Sequence, residues 1–295
     1  MTTIIGDGTW FYNRAALMAD SPERIARSVV SLFCSQALKA QATRFLLAFD
    51  GPQVFRHELW PLYKLGRKTH LSPAQIAESV ANIKKALKIA GKVDSKREIY
   101  QHLQQTLEYV DKIGIPWIQP QKFEADDVLA SAAHQIQGPV VLAAADKDLY
   151  QLLSPRVRMI SQKYDPKIKK MVTRFINADR VVQEWGVPRE LMLDLQTVIG
   201  DSGDTVPGIP GYGKAGTAKA LVAHGSLKAW RSSDDPRGRA LNNQVEHLRL
   251  NRKLVQLRTD VPIPQDLKLR PYEGDLDLPR SYKDLRASLL KTSLF

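Results

Sequence analysis

Apolar positions along the chain fall into two kinds of pattern. The first is a set of short, unbroken apolar runs, several of which stop at an aspartate. Thr2-Thr3-Ile4-Ile5-Gly6-Asp7 is one, Phe45-Leu46-Leu47-Ala48-Phe49-Asp50 another, and Val140-Val141-Leu142-Ala143-Ala144-Ala145 runs into Asp146-Lys147-Asp148. Apolar runs without alternation suit parallel strands covered on both faces. Ile115-Pro116-Trp117-Ile118 reads as a further strand, and Val157 to Ile160 with Met171 to Phe175 as a hairpin at one edge.

The second pattern has helical spacing and separates these runs. Ala15 to Gln41 carries it, with Ser21-Pro22-Glu23 as a restart. Ser72-Pro73-Ala74-Gln75 supplies an N-cap, an N1 proline and a capping-box glutamine ahead of the stripe Ile76, Val80, Ile83 and Leu87. Ser95-Lys96-Arg97-Glu98 is a second capping box, leading to Ile99, Leu103, Leu107 and Val110, with Gly114 closing the helix. From Asp179 onward the chain reads as helical, and the proline-rich stretch Pro262 to Arg280 as a segment wrapping the body. Strands alternating with helices predict an α/β parallel-sheet core followed by a helical part.

Charge changes the picture. The chain of 295 residues has 43 Lys and Arg against 31 Asp and Glu, a formal net charge of +12. So basic a surface favours polyanions. Lys84, Lys85, Lys88, Lys92, Lys96 and Arg97 are concentrated around the single acid Asp94. Such a run is ordinarily a solvated face, but its place after a strand-end aspartate points to phosphate contact. The lone Cys34 lies in an apolar helix, which excludes a disulfide frame or a thiolate metal site within one chain. Met1 to Ile5 leads straight into a strand, so no signal peptide is expected. No apolar run spans a bilayer, so no membrane partner is expected and a cytoplasmic location is.

The acidic residues are clustered in motifs. Lys122-Phe123-Glu124-Ala125-Asp126-Asp127-Val128-Leu129-Ala130 places three carboxylates in a first helical turn, with Glu124 and Asp127 on one face. Taken alone, that is a dipole-stabilised helix start. Asp7, Asp50, Asp146 and Asp148 change its meaning, because the cleft of an open parallel sheet lies outside the carboxyl ends of its strands. Carboxylates gathered there repel one another unless cations bind. Hard oxygen donors without His or Cys suit Mg²⁺ or Mn²⁺. A pair of such ions activates water and stabilises the leaving oxygen of a phosphodiester.

Further along, Gly200-Asp201-Ser202-Gly203-Asp204 precedes Gly208, Gly211, Gly213 and the helix from Lys214 to Ala223. Asp201 and Asp204 extend the acidic set. The glycine turn offers backbone N–H groups and a helix N-terminus to a phosphate.

Taken together these motifs resemble the 5′-nuclease family: phage 5′-3′ exonucleases, the 5′-nuclease domain of bacterial DNA polymerase I, and flap endonucleases. The likeness runs in order through Ile4-Ile5-Gly6-Asp7-Gly8, Ala48-Phe49-Asp50-Gly51, Tyr63-Lys64-x-x-Arg67, Glu124-Ala125-Asp126-Asp127, Asp146-Lys147-Asp148-Leu149 and Gly200-Asp201 to Ala218. It implies a PIN-like nuclease core with a helical arch around residues 62–98, spanning 1–180. A helix–three-turn–helix DNA-binding module and C-terminal segment would span 181–295. The metal ligands would be Asp7, Asp50, Glu124, Asp126, Asp127, Asp146, Asp148, Asp201 and Asp204, holding two or more Mg²⁺ or Mn²⁺ ions. Lys64 and Arg67 would be catalytic cations at the scissile phosphate. Tyr63, Lys84, Lys85, Lys88, Gly211, Gly213, Lys214 and Lys219 would meet DNA, with Tyr63 as a stacking residue and K⁺ in the module's turn. The implied substrate is DNA with a 5′ end, flap or junction, with the RNA strand of a hybrid as a further one. The implied protein is a monomer in a bacterial cell or phage-infected host.

Three departures stand out. Phe123 occupies a usual glycine position, Thr205 replaces the usual asparagine after Asp204, and Thr69 to Ser95 exceeds the short connection of polymerase-linked members. Two other readings meet the same residues. A metal-dependent phosphatase of haloacid-dehalogenase type needs a second aspartate two residues after its nucleophile, and neither Asp7-Gly8-Thr9 nor Asp50-Gly51-Pro52 has one. A non-catalytic DNA-binding relative would be expected to lose acidic ligands, and the full set stands in the sequence.

Overall fold

The computed structural model describes residues 1–19, 21–64, 102–166, 168–270 and 272–291. In chain order the elements are β1 (Thr3–Asp7), α1 (Gly8–Ala16), α2 (Pro22–Lys39), β2 (Arg44–Ala48), α3 (Phe55–Leu59), α4 (Leu103–Lys112), β3 (Trp117–Ile118), α5 (Ala125–Gln135), β4 (Val140–Ala143), β5 (Val157–Asp165) and β6 (Lys170–Ile176). They continue with α6 (Ala178–Trp185), α7 (Met192–Ile199), α8 (Lys214–His224), α9 (Leu227–Arg231), α10 (Pro236–Ala240), α11 (Val245–Val255) and α12 (Arg280–Lys291). The chain divides into two units. Of the described residues, 1–53, 102–177 and 258–291 form the first, and 54–64 with 178–257 the second.

The first unit is built on one six-stranded sheet of order β3-β2-β1-β4-β5-β6. β1 pairs in parallel with β2 and β4, β2 with β3, and β4 with β5, while β6 runs antiparallel to β5 at the edge. The unbroken apolar runs explain the central strands. Ile4, Ile5, Leu46, Leu47, Val141 and Leu142 are all buried, as expected of strands covered on both faces. Helix α2 begins where the sequence predicts a restart: Ser21 caps it and Pro22 takes the first turn. Its Val29, Val30, Phe33 and Ala37 pack with Phe11, Tyr12 and Ile115. Gly114, at φ +79°, closes α4 as expected; a Cβ there would sit 2.4 Å from the Arg270 carbonyl oxygen.

The C-terminal residues 258–291 group with the sheet, not with the helical part beginning near residue 181. The reason is backbone pairing and burial. Phe45 N–H donates to the Leu267 carbonyl and Arg270 N–H to that of Gly114. Leu269, Leu278, Leu285 and Leu289 enter the core. The Tyr282 hydroxyl donates to the Ile113 carbonyl at 2.5 Å, and burial raises its pKa to about 12. Arg27 and Asp277 add an ion pair that holds the Asp277 carboxyl below its ordinary range.

The second unit is helical. Its α7 packs on α8 and α11, and α3 also lies against α11. Arg56 on α3 is buried and directs its guanidinium at the Leu254 and Gln256 carbonyls, capping the end of α11. Among the described residues, no helix is long and apolar enough to cross a membrane.

Candidate metal centre

The carboxyl edge of the sheet collects the acids of the first unit. Asp7 ends β1, Asp50 follows β2, Glu124 and Asp126 open α5 after β3, and Asp146 and Asp148 follow β4. Since β1, β2, β3 and β4 are parallel neighbours, all of these groups leave the sheet on one side.

Hydrogen bonds tie the acid-bearing ends together. Asp7 caps α1, its carboxylate accepting from Trp10 N–H at 2.8 Å. The Thr9 hydroxyl accepts the Asp50 N–H at 2.7 Å, joining the ends of β1 and β2. Asp50 Oδ1 accepts the Ala125 N–H at 2.8 Å, so a carboxylate from one strand end caps the helix that carries the next acids. Gln119 Nε2 holds the Asp50 carbonyl at 2.9 Å. Asp146 Oδ1 accepts from Asp148 N–H at 2.9 Å and starts the short 3₁₀ turn Lys147–Leu152. Lys147 lies 3.6 Å from Asp148. Thr9 and Gln119 were missed in the sequence because a single neutral residue near a strand end carries no pattern of its own.

Asp127 differs from its neighbours. It is fully buried, and both its oxygens accept backbone N–H groups: Glu124 at 3.1 Å and Arg258 at 2.9 Å. Phe123, at the unusual position before Glu124, lies under the Arg258 guanidinium, 5.7 Å from its centre.

In the second unit, Asp201 and Asp204 are both nearly buried and each offers a carboxylate oxygen, the two within 4.8 Å of each other. Asp201 caps the short 3₁₀ turn Ser202–Asp204 by accepting the Gly203 N–H at 2.9 Å. Asp204 accepts the Tyr63 hydroxyl at 3.0 Å and pairs with Lys64 Nζ at 3.8 Å. The Tyr63 ring, expected to stack on DNA, is only 3% exposed and packs edge-on against His57 at 5.6 Å. That ring is therefore part of the packing around Asp204. Arg67, Lys84, Lys85, Lys88 and most of the expected arch lie outside the described residues.

The glycine turn forms as expected. Gly213 is the N-cap of α8, Gly211 sits at φ +85°, and both are exposed together with Lys219. A Cβ on Gly208 would lie 2.2 Å from the Ile199 carbonyl oxygen, so this position requires glycine. Lys214 is already engaged: its ammonium donates to the Glu184 carbonyl at 2.8 Å and rests 3.9 Å from the Trp185 ring centre. Arg237, unremarked in the sequence, donates to the Gly211 carbonyl at 3.0 Å and lies over the Tyr212 ring. Its distance along the chain hid it, since the contact spans 26 residues.

The donors at the sheet edge are carboxylate oxygens, a set that fits hard divalent cations and disfavours thiophilic ones.

Comparison with known proteins places these features. The family model for the 5′-3′ exonuclease N-terminal, resolvase-like domain matches residues 4–186, and that for the 5′-3′ exonuclease C-terminal SAM fold matches residues 187–275. DNA polymerase I of Rhizobium leguminosarum is 35% identical over 244 residues, covering 79% of this chain and 21% of that protein. DNA polymerase I of Mycobacterium tuberculosis is 28% identical over 296 residues, covering 97% and 29%. The chain thus spans less than a third of the length of these relatives. The flap endonuclease of bacteriophage T5, solved with DNA and metal ions, is 22% identical with a TM-score of 0.62, covering all of this chain and 95% of that one. At that identity the likeness is one of fold.

Proposed function

Because the chain belongs to the 5′-3′ exonuclease family, we propose that it is a structure-specific 5′-nuclease. It hydrolyses DNA phosphodiesters near 5′ ends, flaps and single-strand/duplex junctions with the help of divalent metal ions. The observation that carries this reading is the convergence of Asp7, Asp50, Glu124, Asp126, Asp146 and Asp148 on one edge of the parallel sheet. These residues would hold Mg²⁺ or Mn²⁺, which when bound supply an activated water and neutralise the leaving oxygen. On the family motif, Asp201 and Asp204 are assigned to the same chemistry, and Lys64 and Arg67 to charge stabilisation at the scissile phosphate.

The chain's own residues set the conditions for the reaction. Thr9, Gln119 and the Asp50–Ala125 bond hold the ends of β1 and β2 and the start of α5 against one another. The acids therefore need little reorganisation on binding a cation. In the second unit, Gly211, Gly213, Lys219 and the N-terminus of α8 form an exposed, base-blind surface suited to a duplex phosphate, with K⁺ as a candidate occupant of the turn. Binding through such a surface is sequence-indifferent and falls steeply with salt. The RNA strand of a hybrid is a further substrate of this reading, and the working form is a monomer.

The test is cleavage of a 5′-labelled flap and of a blunt duplex after exhaustive chelation. Activity is expected to vanish with EDTA and to return with Mg²⁺ or Mn²⁺, leaving 5′-phosphate and 3′-hydroxyl ends. Asp146→Asn is expected to abolish turnover while leaving duplex affinity within a few-fold of wild type. Full activity in EDTA would refute the reading.

A further inference from the structure

Helix α5 has a second face. Asp127, Ser131 and Gln135 are spaced four apart and lie on one side of it. All three bond to the same short piece of chain. Asp127 Oδ1 accepts the Arg258 N–H at 2.9 Å. The Ser131 hydroxyl donates to the Arg258 carbonyl at 3.2 Å and accepts the Val261 N–H at 3.0 Å. Gln135 Nε2 donates to the Thr259 carbonyl at 3.1 Å and the Val261 carbonyl at 2.9 Å. The segment 258–261 is thus strapped along the helix that opens with Glu124 and Asp126.

The strap has its own bracing. Arg258 Nε and its terminal nitrogen reach the two oxygens of Asp260, at 2.9 Å and 2.5 Å, while its guanidinium covers Phe123. The side chain is therefore turned onto the loop before α5, and its backbone N–H onto Asp127. The other oxygen of Asp127 takes the Glu124 N–H. Asp127 thus clamps the first turn of α5 from within and the strap from outside, and it does so fully buried. Asp126, one residue before it, projects about 100° away around the helix and is partly exposed.

From these bonds we infer that Asp127 is a positioning residue rather than a metal ligand: with Ser131 and Gln135 it fastens segment 258–261 to α5 and so fixes where Glu124 and Asp126 stand. The inference rests on the metal-dependent reading of the sheet-edge acids. Asp127 is fully buried with one oxygen turned onto the Glu124 N–H inside α5 and the other onto the Arg258 N–H of the strap, so its carboxylate faces the strap, away from the side on which Asp126 projects. Outer partners that orient ligands typically cost 10–100-fold in metal affinity or activity when lost.

The experiment uses the full chain without DNA. Mn²⁺ binding is followed by the paramagnetic resonance of the free ion, and amide hydrogen exchange is followed at Arg258 to Val261. Wild type, Asp127→Asn, Ser131→Ala and Asp126→Asn are compared. Asp127→Asn is expected to bind the wild-type number of ions with affinity weakened about 10–100-fold, and to exchange faster at Arg258 and Val261. Ser131→Ala, which removes none of the acids, is expected to show both changes at smaller amplitude. Asp126→Asn is expected to lose bound ion while the strap amides stay protected. Loss of an ion in Asp127→Asn, or strap amides as protected as in wild type, overturns the inference. If Asp127→Asn does not fold, Ser131→Ala decides, and unchanged exchange with unchanged affinity overturns it. A wild-type chain that binds no Mn²⁺ would instead defeat the metal reading, leaving the exchange data to judge the strap.

Discussion

Among the described residues other than glycine that have positive φ, Thr205 alone is β-branched. It sits at φ +59° and ψ +32°, in the left-handed region, and is nearly buried. An L-residue there carries roughly 1–2 kcal/mol of steric cost, and β-branching makes the position more unfavourable still. The conformation is imposed by neighbours. Asp201 and Val206 exchange backbone hydrogen bonds around the turn, and Trp60 Nε1 donates to the Thr205 carbonyl at 3.0 Å. Asparagine tolerates the left-handed region and has nearly the volume of threonine. Thr205→Asn should therefore recover about 1 kcal/mol of the cost. Thr205→Gly removes the strain but adds about 0.5–1 kcal/mol of unfolded-state entropy, so it should fall near neutral. Thr205→Val retains the branching and should gain nothing. The assay is urea denaturation followed by circular dichroism, with the three variants compared at constant slope. An asparagine variant no more stable than the valine variant would refute the strain argument.

Other expectations follow from single positions. Gln36 is fully buried on α2, and neither side-chain nitrogen nor oxygen has a hydrogen-bond partner among the described residues, so Gln36→Met should stabilise the fold by about 1–2 kcal/mol in the same denaturation assay. Gly208→Ala should destabilise by at least about 1–3 kcal/mol, because its Cβ meets backbone at Ile199, whereas Gly211→Ala meets open space and should cost only its φ strain of about 1–2 kcal/mol. The Asp235 carboxyl is held below its ordinary range by the Trp230 indole N–H first, then by the Arg237 and Gly238 N–H groups and the charge of His224. Its contribution is therefore fully present above the unfolded carboxylate value and lost as pH falls from there through the lowered folded value. The stability difference between wild type and Asp235→Asn should shrink between about pH 5 and pH 3, read from thermal melts across that range.

The sheet was legible in the sequence because buried parallel strands write themselves as unbroken apolar runs, and the runs of β1, β2 and β4 each led to an acid at or just past the strand end. The start of α2 was legible for the same local reason, since Ser21 and Pro22 carry the cap in the sequence itself. What could not be read is what depends on remote partners. Asp127 looks like one more acid of the Glu-Ala-Asp-Asp motif until Arg258, 131 residues later, takes one of its oxygens. Tyr63 reads as an exposed aromatic beside two cations until Asp204, 141 residues on, draws its hydroxyl inward. The C-terminal segment reads only as one that wraps the body, because proline content says nothing of which carbonyls its amides will meet. Periodicity encodes which face of an element is apolar; it does not encode the element that will cover that face.

The second unit shows how such remote partners reshape a motif. Trp60, Tyr63 and Lys64 are all fastened to the turn that bears Asp204: the indole to the Thr205 carbonyl, the phenol and ammonium to the Asp204 carboxylate, and the Lys64 N–H to the Asp204 carbonyl at 2.8 Å. Lys64 itself is at φ +55°, a left-handed position that places its N–H and its ammonium against the same aspartate. Val206 packs with Tyr63, Leu254 and Val255 beneath this junction. A cation meant only to attract DNA would gain nothing from such bracing, since long-range attraction depends on charge and not on orientation. Bracing matters where a charge must be held in place against a developing negative one. Under the proposed reading Lys64 is therefore a placed charge, held at Asp204 through both its N–H and its ammonium.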